Sequence, residues 1–373
     1  MNDVEQRIVT TYKRLLFGIG IFCAFIILIS FLLFERVTVN KDVTIGLVLQ
    51  GSHIDGGYNE ATHKAMVNAC NEMDVRLVVE ENVFENKEEC SVAVKRLVEK
   101  GAGAIIMHSS NYAPFIIELK EQYPEVHFFC NYSGSDDFYD GNSYSVRMYQ
   151  ARYLAGILAG LETETGKIGY VAAMENSEVL RGLNAFALGV RKVNPDAEIV
   201  VGFTGIWGVS PKEVEVTEQL ILKEDIDVIS FHQNANTVVD VAEKYGIKSV
   251  GFHYVKEDCT NNYLGVVCGR WEHAYKDIIK DCINGQVEYG SHYWPGLEED
   301  AVELVLCSEN IPGETVQLLE ETQKRIIEKR DVFSGKIIDN QGNEICAENE
   351  TISDEVLLYD CTWFVEGIKV YEQ

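Results

Sequence analysis

From residue 43 onward, short runs rich in β-branched and aromatic residues alternate with amphipathic stretches, and few architectures accept that alternation. The runs are Val43–Leu49, Arg76–Glu80, Ala104–His108 and His127–Cys130, then Lys167–Ala172, Glu198–Phe203, Asp227–Phe231, Ser249–Phe252 and Leu264–Val267. Between them, apolar residues recur at helical spacing in Asn59–Met73, Lys87–Lys100, Arg147–Leu161, Val179–Val193, Lys212–Lys223 and Thr237–Tyr245. Strand, helix and strand in succession predict parallel sheets covered by helices on both faces. The runs fall into two sets on either side of the polar segment "NYSGSDDFYDGNSYS" (131–145). The expected fold is therefore α/β, with two doubly wound parallel-sheet lobes joined at that segment and separated by a cleft. A length of 373 residues agrees, since single cores stop growing well before that size.

Ahead of the first run lies Leu15 to Phe34, "LLFGIGIFCAFIILISFLLF", which holds no charge. As a helix at about 1.5 Å per residue it spans roughly 30 Å, the thickness of a bilayer's hydrocarbon. Arg7, Lys13 and Arg14 precede it, which predicts a short cytoplasmic tail, one transmembrane anchor at the cell membrane and an extracytoplasmic remainder. A cleaved signal peptide and lipid attachment at Cys23 are the alternatives. The run exceeds a usual signal core, and bulky Phe22 before Cys23 fits a lipid-attachment site poorly. With 59 Asp and Glu against 32 Lys and Arg, the net charge of −27 repels nucleic acid, so no nucleic-acid partner is expected.

In open α/β sheets, ligands bind beyond the carboxyl ends of the strands. The residues there are His53 and Asp55 after the first run, Ser109 and Asn111 after the third, Asn131 after the fourth, His232 and Gln233 after the seventh and His253 after the eighth. Each also has an ordinary explanation as a helix cap or loop residue. The ten cysteines include no C-x-x-C, and His53, His108, His232 and His253 have no diagnostic ligand spacing, so no metal and no cofactor is expected. No G-x-S-x-G elbow or paired-carboxylate motif appears at a strand end, which argues against an enzyme and leaves no catalytic residue to name.

The stretch "RMYQARYLAGILAGLETETGKIGYVAA" (147–173) resembles the basic membrane protein (BMP) family of substrate-binding proteins, which includes purine-nucleoside receptors of ABC importers. The likeness continues through "EVLRGLNAFALGVRKVNPDAEI" (178–199), "VISFHQNANTVVDVAEKYGIKSVGFH" (228–253), "YWPGLEEDAVEL" (293–304) and the tail from "GKIIDNQGN" onward. The resemblance implies a type I periplasmic-binding fold with three crossing strands as its hinge and a ligand enclosed by closure. It also implies a segmental division: tail 1–14, anchor 15–34, first lobe 43–146 continued by about 270–310, and second lobe 147–269 continued by about 311–373.

Nucleoside receptors of that family carry an Asp-x-Ser-Phe-Asn type turn after the first strand, whose ring stacks on the base and whose Asn hydrogen-bonds it. Here the turn reads Asp55-Gly56-Gly57-Tyr58-Asn59, which keeps a ring and an amide. A planar base calls for a second ring, and Trp207 and Trp271 are the candidates, with core packing as the alternative for each. Arg181 is either a clamp on a polar ligand group or a structural ion pair. The function implied is an extracytoplasmic, membrane-anchored solute-binding protein that delivers a purine nucleoside or nucleobase to an ABC permease. The alternative is a ligand-sensing receptor for a signalling partner.

Overall fold

Thr-Ile-Gly-Leu-Val has no polar face to keep in water, and it forms a strand buried along its whole length. The computed structural model describes residues 43–372 apart from 133–140, 209–210, 257–258 and 330–331. The expected tail and anchor, 1–34, lie outside the described residues. Among the described residues, no helix is long and apolar enough to cross a membrane.

The first unit runs β1 (Thr44–Val48), α1 (Tyr58–Glu72), β2 (Arg76–Glu80), α2 (Lys87–Glu99), β3 (Ala104–Met107), α3 (Ala113–Gln122), β4 (His127–Asn131) and β5 (Asn142–Tyr144). The second runs α4 (Met148–Glu162), β6 (Lys167–Ala172), α5 (Ser177–Val193), β7 (Glu198–Phe203), α6 (Pro211–Glu224), β8 (Val228–His232), α7 (Thr237–Tyr245), β9 (Lys248–Phe252) and β10 (Tyr263–Gly269). The chain then continues through α8 (Glu272–Asn284), β11 (His292–Tyr293), β12 (Val302–Leu306), α9 (Gly313–Lys329), β13 (Ile337–Ile338), β14 (Glu344–Cys346), α10 (Asp354–Tyr359) and β15 (Ile368–Val370).

One sheet has the order β11-β5-β4-β3-β1-β2 and the other β12-β10-β9-β8-β6-β7-β15. All pairings in both are parallel except β10 with β12. In each, the first strand of the unit sits between its two successors, β1 between β2 and β3, β6 between β7 and β8. These are the points where strand order reverses and where doubly wound sheets bind ligands. The chain passes between the sheets after β5, after β10 and after β11, so three crossings connect them.

The stretch 270–310 divides between the sheets. β11 joins the first, but after that excursion the chain returns to the second sheet, where β12 pairs antiparallel with β10. The polar segment expected as the junction also contains a strand: β5, Asn-Ser-Tyr, is buried between β4 and β11 and has no apolar run to announce it.

The stretch that carries the family resemblance has a packing explanation. A Cβ on Gly156 of α4 would lie 2.0 Å from the Phe186 carbonyl oxygen of α5, and one on Gly189 of α5 would lie 2.1 Å from that of Tyr153. The two helices therefore touch backbone to backbone, which only glycine at these positions allows.

Candidate functional site

The carboxyl ends of both sheets open onto a cavity of about 330 Å³ between the two units. That volume lies at the low end of the roughly 300–1,000 Å³ of small-ligand sites. The first unit contributes the turn after β1 and the ends of β2, β3 and β4. The second contributes the first turn of α5 and the ends of β7, β8 and β9.

Asp55 organises the first turn. Its carboxylate accepts from the backbone N–H of Gly57 at 2.9 Å and of Glu60 at 3.0 Å, and from Asn59 Nδ2 at 2.8 Å. This closes the amino end of α1, where orphan N–H groups favour an anion. Asn59 is committed too: besides donating to Asp55, its Oδ1 accepts from Gly51 N–H at 3.3 Å. Tyr58 is thereby fixed at the start of α1 with its ring stacked on His108, centroids 4.3 Å apart, and its hydroxyl accepting from Asn131 Nδ2 at 2.5 Å. Burial raises the phenol well above its ordinary pKa, so it stays neutral.

Below that ring, His108 contacts the hydroxyls of Thr62, Tyr144 and Tyr275, the last at 3.2 Å. Burial holds its imidazole well below its ordinary pKa. Across the cavity stands His253, in the left-handed backbone region at φ 70°, uncommon for a residue with a Cβ and frequent at ligand sites. Its ring lies 5.2 Å from that of Tyr58, and burial followed by the charge of Arg152 lowers its pKa to about 3. His232 lies edge-on to Trp207 at 5.7 Å and to Phe252 at 4.6 Å, and is likewise held neutral by burial.

The opposite wall is acidic. Glu85 accepts from Asn111 Nδ2 at 3.0 Å and from the Ser109 hydroxyl. With Asp55 and Glu178, it gives the cavity three carboxylates, and no Lys or Arg is among its described lining residues. A phosphate there would meet like charge without compensation.

Nine of the sequence candidates line the cavity: Asp55, Tyr58, Asn59, Ser109, Asn111, Asn131, Trp207, His232 and His253. The other four do not. His53 turns to Glu81, its Nδ1 2.5 Å from the carboxylate, on a partly exposed surface. Gln233 is fully buried and donates to Thr204 Oγ1 at 2.8 Å. Arg181 donates to the Leu357 carbonyl at 2.6 Å and lies over the Trp294 ring. Trp271 packs its edge against His108 at 5.2 Å, behind the Tyr58 stack. Glu85 and Glu178 were absent from the sequence candidates because neither follows a strand directly. Glu85 sits in the loop that precedes α2, and Glu178 is the second residue of α5.

The two units also meet across the cavity mouth. Tyr58 N–H donates to the Asn234 carbonyl at 3.4 Å, and Lys64 Nζ donates to the Tyr254 hydroxyl at 3.0 Å. Among the described residues, no group of three His, Cys, Asp or Glu side chains is placed to hold a metal ion.

The family model for PnrA-like ABC transporter substrate-binding proteins matches residues 42–338. A purine-binding protein of Brucella abortus is 26% identical over 346 residues, which are 91% of this chain and 96% of that protein. A Haloferax volcanii protein named for glucose binding in an ABC transporter is 30% identical over 67% of this chain and 61% of its own length. Among solved structures, a transcriptional activator of the comK gene from Bacillus halodurans superposes with a TM-score of 0.66 at 23% identity, covering 77% of this chain and 99% of that one. A solute-binding protein of an Aeropyrum pernix ABC transporter superposes with a TM-score of 0.63 at 18% identity, covering 80% and 93%. At these identities the two structures speak to the fold alone.

Proposed function

Because the chain belongs to the family of PnrA-like ABC transporter substrate-binding proteins, we propose that it encloses a purine nucleoside or nucleobase between its two lobes, binding it without chemistry. The observation that carries this reading is the Tyr58 ring, backed on one face by His108 and lining the cleft. Trp207, on the opposite lobe, is then the second ring of the sandwich, since Trp271 lies behind the stack. The purine-binding relative supports the same ligand class. The acidic wall, with no Lys or Arg among its described lining residues, favours an uncharged sugar or base edge over a nucleotide's phosphate, with Glu85, Ser109 and Asn111 offering hydrogen bonds. Delivery to an ABC permease, from an anchor at 15–34 that keeps both lobes extracytoplasmic, completes the proposal.

A thermal-shift panel of nucleosides, nucleobases and sugars tests it. A ligand that binds only the folded protein adds about 2.7 kcal/mol at a hundredfold excess over its Kd. Purines are expected to raise the melting temperature and glucose to leave it unchanged; the reverse would overturn the ligand class.

Tyr58→Ala is expected to weaken purine binding tenfold or more, about 1.4 kcal/mol, within the roughly 1–3 kcal/mol of base–aromatic stacking. Tyr58→Phe keeps the ring and loses only the Asn131 contact, so its affinity should stay close to that of the unaltered protein. Isothermal titration reads both, and an unchanged affinity in the alanine variant would remove Tyr58 from the ligand site.

A further inference from the structure

Arg152, in the first turns of α4, is fully buried yet incompletely partnered. Its Nη1 reaches Ser230 Oγ at 3.4 Å and its guanidinium lies on the Phe252 ring at 3.7 Å, while Nε and Nη2 have no hydrogen-bond partner. Burial depresses its pKa, opposed by the Tyr170 hydroxyl and not by a carboxylate. An enclosed guanidinium with free N–H groups is costly unless an acceptor meets it.

The side chain lines a second, small cavity of about 20 Å³. That is room for one water-sized group. It adjoins the main cleft, since Tyr58, Glu178, His232 and His253 line both. Two more buried atoms there lack partners, Nδ1 of His232 and Nδ1 of His253. His232 Nδ1 lies 3.4 Å from where a Cβ on Gly182 would stand, and Gly182 borders the same cavity. The Arg152 guanidinium and two neutral imidazoles thus converge on a space for a single atom beside the Tyr58 ring, a space that Arg181 and the Glu178 carboxylate also border.

We propose that this cavity receives the ring carbonyl oxygen of the ligand, so that the protein selects 6-oxopurines, hypoxanthine and guanine or their nucleosides, over adenine. The inference rests on the purine reading above and adds which purine. A lactam oxygen accepts from the Arg152 fork, whereas adenine's amino group sets N–H against N–H and leaves buried donors unpaired. Sites built to hydrogen-bond one functional group discriminate strongly against analogues that cannot complete the bond. The space is too small for a phosphate or a sugar, so only a substituent atom fits.

Titration calorimetry on the full-length protein with inosine, guanosine, adenosine and unsubstituted purine riboside tests this. Inosine and guanosine are expected to bind at least tenfold more tightly than adenosine and purine riboside. Arg152→Gln is expected to lower inosine affinity tenfold or more and leave adenosine within about twofold, collapsing the preference. If that variant does not fold, His253→Phe keeps the arginine, removes one imidazole and should reduce the preference in the same direction. The ranking in the unaltered protein decides regardless of either variant. Adenosine binding as tightly as inosine, as a cavity that merely holds water would give, overturns the oxygen subsite and leaves the purine reading standing. Binding of none of the four overturns both.

Discussion

Gly57→Val is expected to abolish measurable ligand binding, and Gly57→Ala to weaken it a hundredfold or more, with neither unfolding the protein. A Cβ at position 57 would stand 2.3 Å from the Asn234 carbonyl oxygen of the opposite lobe, and that backbone atom has nowhere to go. The lobes must therefore move apart, which breaks the Tyr58 N–H to Asn234 bond and stretches the Lys64–Tyr254 contact. A hundredfold is about 2.7 kcal/mol, a modest demand for an overlap of this size. The site is on the lobe surface, so the ligand-free melting temperature should change little. Calorimetry with the ligand found in the thermal panel, together with small-angle scattering for lobe separation, measures both quantities. An alanine variant that binds as tightly as the parent would show that the mouth contact is not part of the bound state.

Acid is expected to destabilise the ligand-free protein steeply below about pH 6.5. Four histidines are held neutral, chiefly by burial: His108 and His232 well below their ordinary range, His253 at about 3 and His292 at about 4. Each folded-state pKa lies below the unfolded value, so the unfolded chain binds the extra protons and folding is progressively disfavoured as pH falls. Glu213 works the other way, because burial raises its carboxyl to about 7 and the folded state takes its proton first. At about 1.4 kcal/mol per proton and pH unit, these four histidines less the one glutamate cost roughly 3–4 kcal/mol between pH 7.5 and 5.5, and His63 and His127, which burial also lowers, add in the same direction. That is a large share of the ~5–15 kcal/mol that typically holds a domain folded. Urea denaturation at pH 7.5, 6.5 and 5.5 should show the midpoint dropping at each step. A flat profile would mean that the imidazoles reach solvent or a counter-charge.

The strands that line the cleft were legible one by one. β1, β2, β3 and β4, like β6 to β10, coincide within a few residues with apolar runs, since strands buried on both faces need unbroken hydrophobic sequence. What local composition left silent were β5, β11, β12 and β15. These are short or at sheet edges, and pairing with partners distant in the chain makes them strands.

The site divides the same way. The strand-end groups Ser109, Asn111, His232 and His253 were visible because topology alone puts strand ends at the cleft, whereas the ring of Tyr58 was singled out by the family resemblance. Asp55 and Asn59 were visible as residues, but their work in closing the turn was not, since it depends on where the first N–H groups of α1 point. His53 and Gln233 follow strands as well, yet Glu81 and Thr204 draw their side chains elsewhere.

By itself, then, the sequence determined the two α/β units, their order and the loops that face one another, because burial and strand-to-helix alternation are local and additive. Tertiary structure alone decided which side chains in those loops are already bonded and which are left with unmet groups. Arg152 is the clearest case: a helix residue far from any strand end, its guanidinium reaches the small cavity beside the cleft only when α4 packs across β8 and β9. Hydrogen-bond satisfaction is a property of the packed whole, so no window of residues could have foretold it.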